Sequence, residues 1–119
     1  MPDYRHFNVR RQDGVWIVHL IDPKLLGHVV VTELEDEVAA LLERDRPANI
    51  VVNFECVKFT STAVVNSLLH CKKWLSSTGG RLKICGMSPQ LRMKYQMLKL
   101  DGPVFDICDT EAEALAALR

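Results

Sequence analysis

An excess of charge of either sign is missing from this chain: its 15 Lys and Arg side chains balance its 15 Asp and Glu. Without a global field, nothing draws in nucleic acid or an anionic membrane surface, and neither is expected as a partner. Long apolar runs are missing too. No stretch approaches the roughly 18 residues that a membrane-crossing helix needs. The N-terminus, MPDYRHF, is polar and carries no secretory signal pattern, so membrane insertion is not expected. The four cysteines, Cys56, Cys71, Cys85 and Cys108, never approach C-x-x-C spacing, which argues against zinc or dithiol chemistry. Each lies within or beside an apolar pattern, so they read as buried thiols acting as small hydrophobes in a reduced, cytoplasmic protein. Neither G-x-x-x-x-G-K-S/T nor G-x-G-x-x-G occurs. No paired carboxylates, nucleophile–base pair or metal-ligand spacing stands out along the sequence, where only residues that converge from a distance could supply one; His70 and Cys71 are adjacent, but helix neighbours point about 100° apart. No enzymatic activity, cofactor or metal is expected.

What the chain does have is an ordinary apolar fraction, 48% of 119 residues, enough for one real core and read as a single domain over 1–119. Tyr4 to Arg10 and Val15 to Ile21 alternate and meet at Asp13-Gly14, a strong hairpin signal. The second of these strands is apolar on both faces, which places it inside a sheet. Asp22-Pro23 breaks it. Leu34, Val38, Leu41 and Leu42 then have helical spacing, with Glu33, Glu35, Asp36, Glu37 and Glu43 toward solvent. Thr32 and Glu35 fit a capping box, while Val30 and Val31 extend the apolar face a turn earlier; the helix ends near Arg44 to Pro47.

Asn49 to Phe54 is a β-branched strand, and a helix face of Val64, Val65, Leu68, Leu69, Cys71 and Leu75 follows until Gly79-Gly80 caps it. Arg81 to Cys85 alternates as a strand. Ser88-Pro89 opens a helix whose inner face is Leu91, Tyr95 and Leu98. Met87, Met93 and Met97 read first as core packing and otherwise as a pliable contact surface, and Lys72-Lys73 with the later basic residues as solvated faces. After Asp101-Gly102-Pro103, Val104 to Ile107 forms a last short strand, and Asp109 caps an alanine- and leucine-rich terminal helix. The order is β-β-α-β-α-β-α-β-α. Strands alternating with single helices imply an α/β fold with a mostly parallel sheet flanked by helices.

The stretch from Ile50 to Leu69, IVVNFECVKFTSTAVVNSLL, carries the functional signal. A strand hands over to a helix through three hydroxyl residues, Thr60, Ser61 and Thr62, among backbone N–H groups that a helix start leaves free. Such a place suits an anion, or a phosphate that the protein itself acquires. At least one of the three hydroxyls is expected to cap the helix, for about 1 kcal/mol.

Here the chain resembles the STAS domain, the sulfate-transporter and anti-sigma-factor-antagonist family. In bacterial antagonists the corresponding stretch is a buried strand, a few residues, and F-M-D-S-S/T-G-L opening a helix. Phe59 matches the aromatic residue and Thr60 the methionine. Ser61 falls on the aspartate, Thr62 on the phosphorylated serine, Ala63 on the next hydroxyl, and Val64 and Val65 on the glycine and leucine. Gly79-Gly80 before a basic-apolar strand, Ser88-Pro89, Leu100-Asp101 and the acidic last helix also match, and the likeness is weakest from Asp22 to Val31.

The resemblance implies a STAS-type domain that acts by phosphorylation-controlled binding. Its partner would be an anti-sigma factor that is also a serine/threonine kinase, with a phosphatase and a second copy of the chain as further partners. Thr62, with Ser61, is the implied phosphoacceptor, and Asp22, Phe59, Thr60, Ser61, Thr62, Ala63 and Asn66 the implied contact surface. Two departures bear on this. Ser61 removes the charge that a kinase would recognise, and Val64 is expected to put a side chain where a partner would meet bare backbone. The alternatives are a constitutive, unphosphorylated scaffold or adaptor in a regulatory or transport assembly, and a sensor that binds a small anion at the helix N-termini.

Overall fold

The computed structural model describes residues 4–118. Phe7–Gln12 (β1) and Val15–Leu20 (β2) form the hairpin, with Asp13 and Gly14 at φ of 54° and 78°, the left-handed geometry that a two-residue turn between twisted strands demands. Lys24–Leu25 (β3) and His28–Asp45 (α1) follow, then Asn49–Asn53 (β4), Phe59–Thr60 (β5) and Thr62–Ser76 (α2). Arg81–Cys85 (β6), Pro89–Met97 (α3), Asp106–Cys108 (β7) and Glu111–Ala117 (α4) complete the chain.

The main sheet has the order β1-β2-β4-β6-β7, antiparallel only between β1 and β2. This is the mostly parallel α/β arrangement expected from the element order. Central β2 and β4 bury both faces. Phe7, Val18, Leu20, Val52 and Ile84 face α1, α2 and α3, whose Leu34, Leu41, Leu68, Leu75, Leu91 and Tyr95 close one core. On the opposite face, Val15, Ile17, Val51 and Cys85 meet Ala114, Leu115 and Leu118 at α4.

Several boundaries differ from expectation. The order acquires two further strands, β3 and β5, which pair with each other in parallel as a separate two-stranded sheet. β1 starts at Phe7 rather than Tyr4, and the last strand is Asp106–Cys108 rather than Val104 to Ile107. There Phe105 is buried and held by a turn in which Gly102 N–H donates to the Phe105 carbonyl at 2.8 Å. Helix α1 begins at His28, and the Thr32–Glu35 capping box lies within it. Gly27, at φ 90°, redirects the chain as β3 ends, so the helix starts before the box. Leu98 caps the C-terminus of α3 instead of lining its inner face and is 48% exposed; Met93 and Met97 are more exposed still and are not core. Leu91 and Tyr95 alone form that helix's buried face. Glu33 and Glu37, expected to face open solvent, hold the start of β1: Arg5 and His6 backbone N–H groups donate to Glu37, and the Arg5 guanidinium to Glu33.

Ser88 and Pro89 open α3 as expected, with Leu91 N–H donating to Ser88 Oγ at 3.2 Å. At α4, however, the cap is Thr110 rather than Asp109. Thr110 Oγ1 accepts from Glu113 N–H at 3.2 Å, while Asp109 pairs with Arg92. Thr110→Ala is expected to lower stability by about 1 kcal/mol in urea unfolding, and an unchanged midpoint would deny the cap any role.

Candidate functional site

The two-stranded sheet builds the site. Lys24 stands opposite Phe59 and Leu25 opposite Thr60. Pro23 carbonyl accepts from the N–H groups of both Lys58 and Phe59, at 2.8 and 3.1 Å, and Leu25 carbonyl from Ser61 N–H at 3.0 Å. These bonds tie the loop after β2 to the hydroxyl loop, two segments that the family resemblance assigns to one contact surface and that no sequence pattern pairs. Lys94 of α3 braces the far side, its Nζ 3.3 Å from the Thr60 carbonyl.

The strand geometry then sorts the hydroxyls. Thr60 is buried and faces Tyr95; burial pushes the Tyr95 phenol up to about 12, and the Thr60 side chain beside it works in the opposite direction. Ser61 is the N-cap residue of α2, yet its side chain accepts no capping bond. Its Oγ is enclosed, without a hydrogen-bond partner among the described residues. The expected hydroxyl cap is therefore absent: Leu25 carbonyl takes the Ser61 N–H, and the cap's remaining work falls to the Ser61 carbonyl, which accepts from Val64 N–H at 3.1 Å. Thr62 is the first residue of α2 and is exposed. Of the three hydroxyl residues it is the one whose side chain faces solvent.

The segments that flank Thr62 expose apolar side chains among the exposed Lys24, His28 and Lys58. Phe59 is 54% exposed, and Leu26 and Val29, between β3 and the first turn of α1, are 43% and 69% exposed. Ala63 is half-buried against the core, and Asn66 is exposed one turn along α2. Asn66 lines a groove between α1 and α2 with Glu35, Asp36 and His70. Beside it Ser67 Oγ donates to Glu35 at 3.1 Å. Val64 does not obstruct this surface, contrary to expectation. It is 1% exposed and points into the core, since it lies on the inward face of α2 with Leu68 and Cys71.

Asp22 has a different setting. Its carboxylate is 2.8 Å from Nδ1 of buried His6, the geometry in which a ring N–H donates to an ionised acid. His6 Nε2 lies 3.6 Å from Glu33 on α1. Asp22 thus anchors the root of the loop, and exposed Ile21 flanks it. Leu26 and Val29 went unread in the sequence because they fall in the segment from Asp22 to Val31, where neither periodicity nor family likeness is strong, and His6 because its partners Asp22 and Glu33 are distant in sequence.

No helix among the described residues is long and apolar enough to cross a membrane. Among them there is also no group of three or more His, Cys, Asp or Glu side chains placed to hold a metal ion.

Comparison with solved structures gives the same architecture. The Bacillus cell fate determinant SpoIIAA, in its phosphorylated form, is 24% identical over 95% of this chain and 99% of its own, with a TM-score of 0.68. An anti-sigma factor antagonist from Mycobacterium paratuberculosis is 23% identical over 95% of this chain and 92% of its own, at 0.82. An anti-sigma-factor antagonist domain protein from Planctomyces limnophilus is 19% identical over 95% and 97%, at 0.79. At these identities the likeness carries the fold. Residues 6–114 match the STAS domain itself, and with nearly the whole described chain inside that match, the protein belongs to the STAS domain family.

Proposed function

We propose that this protein is an anti-sigma-factor-antagonist type of regulator that binds a kinase-type anti-sigma factor and is released from it by phosphorylation of Thr62. The contact surface is the two-stranded β3–β5 unit with the first turns of α1 and α2: Leu26, Val29, Phe59, Thr62 and Asn66, braced from behind by Asp22 and Thr60. A phosphatase reverses the modification, and the exchange takes place in the cytoplasm.

One observation carries this reading: the exposed hydroxyl on the first turn of α2 belongs to Thr62, while Ser61 Oγ is enclosed. A kinase needs an accessible hydroxyl, and phosphate at a helix N-terminus gains from the dipole and the free N–H groups there. Such a group adds nearly two negative charges, which a partner covering Leu26, Val29 and Phe59 would have to strip of water. The phosphorylated form of the Bacillus relative supports the same reading. With a cognate kinase and ATP, mass spectrometry is expected to find phosphate on Thr62 and none on Ser61 of the folded protein. Modification of neither residue would remove the switch, and modification of Ser61 would require the loop to open first.

A second reading rests on Ser61, which stands where the family has an acidic residue. Without that charge beside the acceptor, the same surface suits a constitutive scaffold. A complex that forms identically with and without ATP and kinase activity would favour it.

A further inference from the structure

Outside the surface around Thr62, the C-terminal ends of β2 and β4 bring together two side chains that the switch does not use. His19 lies near the end of β2, opposite Asn53 of β4. Beyond β4 the chain turns sharply: Glu55 N–H donates to Asn53 Oδ1 at 2.8 Å, and Val57 N–H to the Phe54 carbonyl at 2.9 Å. That turn folds Cys56 back over the strand ends, with its Sγ 3.5 Å from His19 Nε2.

We propose that Cys56, with His19 as its base, is a reactive thiol and a site of covalent modification by small oxidants of the peroxide class. Two further observations support the pair. Contrary to the expectation of four buried thiols, Cys56 is exposed on the turn after β4, whereas burial pushes the thiols of Cys71 and Cys85 up to about 12 and also raises half-buried Cys108. Thiolate is the nucleophile, so the fold keeps those three inert and leaves Cys56 available. A hollow of about 650 Å³, lined also by Arg10, Asn53, Glu55 and Glu111, opens beside His19, so the base is reached by solvent.

The step balances within the pair and the oxidant. His19 Nε2 takes the thiol proton, and the thiolate sulfur attacks one peroxide oxygen. The S–O bond forms as the O–O bond breaks. Hydroxide leaves and recovers the proton from the imidazolium as water. Sulfur is oxidised by two electrons to the sulfenic acid, and hydrogen peroxide is reduced to water. The product sits at the root of the loop that carries Thr62, and the assignment does not depend on Thr62 being phosphorylated.

The test is carried out on the whole chain with limiting hydrogen peroxide, dimedone trapping and peptide mapping. Label is expected on Cys56 and not on Cys71 or Cys85. Cys56 is expected to react about tenfold or more faster in the native protein than in the urea-unfolded chain, where His19 is no longer beside it. His19→Gln is expected to reduce the native rate to about that of the unfolded chain, with continued protection of Cys71 and Cys85 showing that the variant is folded. A native rate no greater than the unfolded one would overturn the proposal, because exposure alone gives no acceleration. An undiminished native rate in His19→Gln would overturn the role of His19.

Discussion

Thr62→Glu is expected to weaken binding to a kinase-type anti-sigma factor by about 100-fold or more while moving the melting temperature by only about 2 °C. The two halves have different causes. Thr62 is exposed at the first position of α2, whose first turn carries no acidic residue. A carboxylate there meets the positive end of the helix and costs the fold nothing. In the proposed complex, a partner that covers Leu26, Val29 and Phe59 has to take the same charge out of water, and those side chains offer it no hydrogen bond. A 100-fold change corresponds to about 2.7 kcal/mol, within reach of one desolvated charge. Calorimetric titration of wild type, Thr62→Glu and Thr62→Ala makes the measurement. Wild-type affinity in the glutamate variant would dismiss this surface, and an equal loss in the alanine variant would attribute the effect to the threonine itself.

Gly80→Ala is expected to be the most damaging single-atom addition to the fold, lowering stability by about 3 kcal/mol and the melting temperature by roughly 12 °C. A β-carbon at Gly80 would stand 1.8 Å from the Ala48 carbonyl oxygen. That contact is backbone on one side and has no flexible side chain to move. It also lies where the chain enters the sheet: Asn49 pairs with Arg81, and Arg81 N–H donates to Asn49 Oδ1 at 2.9 Å. Gly80 N–H meanwhile donates to the Leu75 carbonyl at 2.8 Å and ends α2, so a shift at Gly80 disturbs helix and sheet together. Thermal unfolding of the variant checks this. A loss under about 1 kcal/mol would mean that the crossing opens without strain.

The main sheet was legible because each of its strands carries its own signal. Val15–Leu20 and Asn49–Asn53 are apolar on both faces, and Asp13-Gly14 can form only a tight turn. Elements whose existence depends on a distant partner were not legible. A two-residue strand has no period, so β3 and β5 arise only because Pro23 and Leu25 find Lys58, Phe59 and Ser61 across the fold. Amphipathicity also misled at α3. Met93, Met97 and Leu98 continue an apolar pattern, yet the core beneath that helix reaches only Leu91 and Tyr95.

The candidate site divides in the same way. That hydroxyls cluster where β4 hands over to α2 is written in the sequence. Which one faces outward is set by the β3–β5 pairing, which buries Thr60 and encloses Ser61 Oγ. Val64 looked like an obstruction because the family has glycine there, but helix phase turns it inward. Cys56 and His19 are 37 residues apart, too far for spacing to connect them.

The β3–β5 pairing also has an entropic consequence. A free connection of the length between β4 and α2 would have to be ordered by its partner, at roughly 1–2 kcal/mol for each backbone residue fixed. Here the bonds from Lys58, Phe59 and Ser61 to Pro23 and Leu25, with Lys94 behind Thr60, meet that cost during folding. In the proposed complex, binding starts from a loop already in shape, so modest apolar contacts at Leu26, Val29 and Phe59 support affinity that a single added charge weakens.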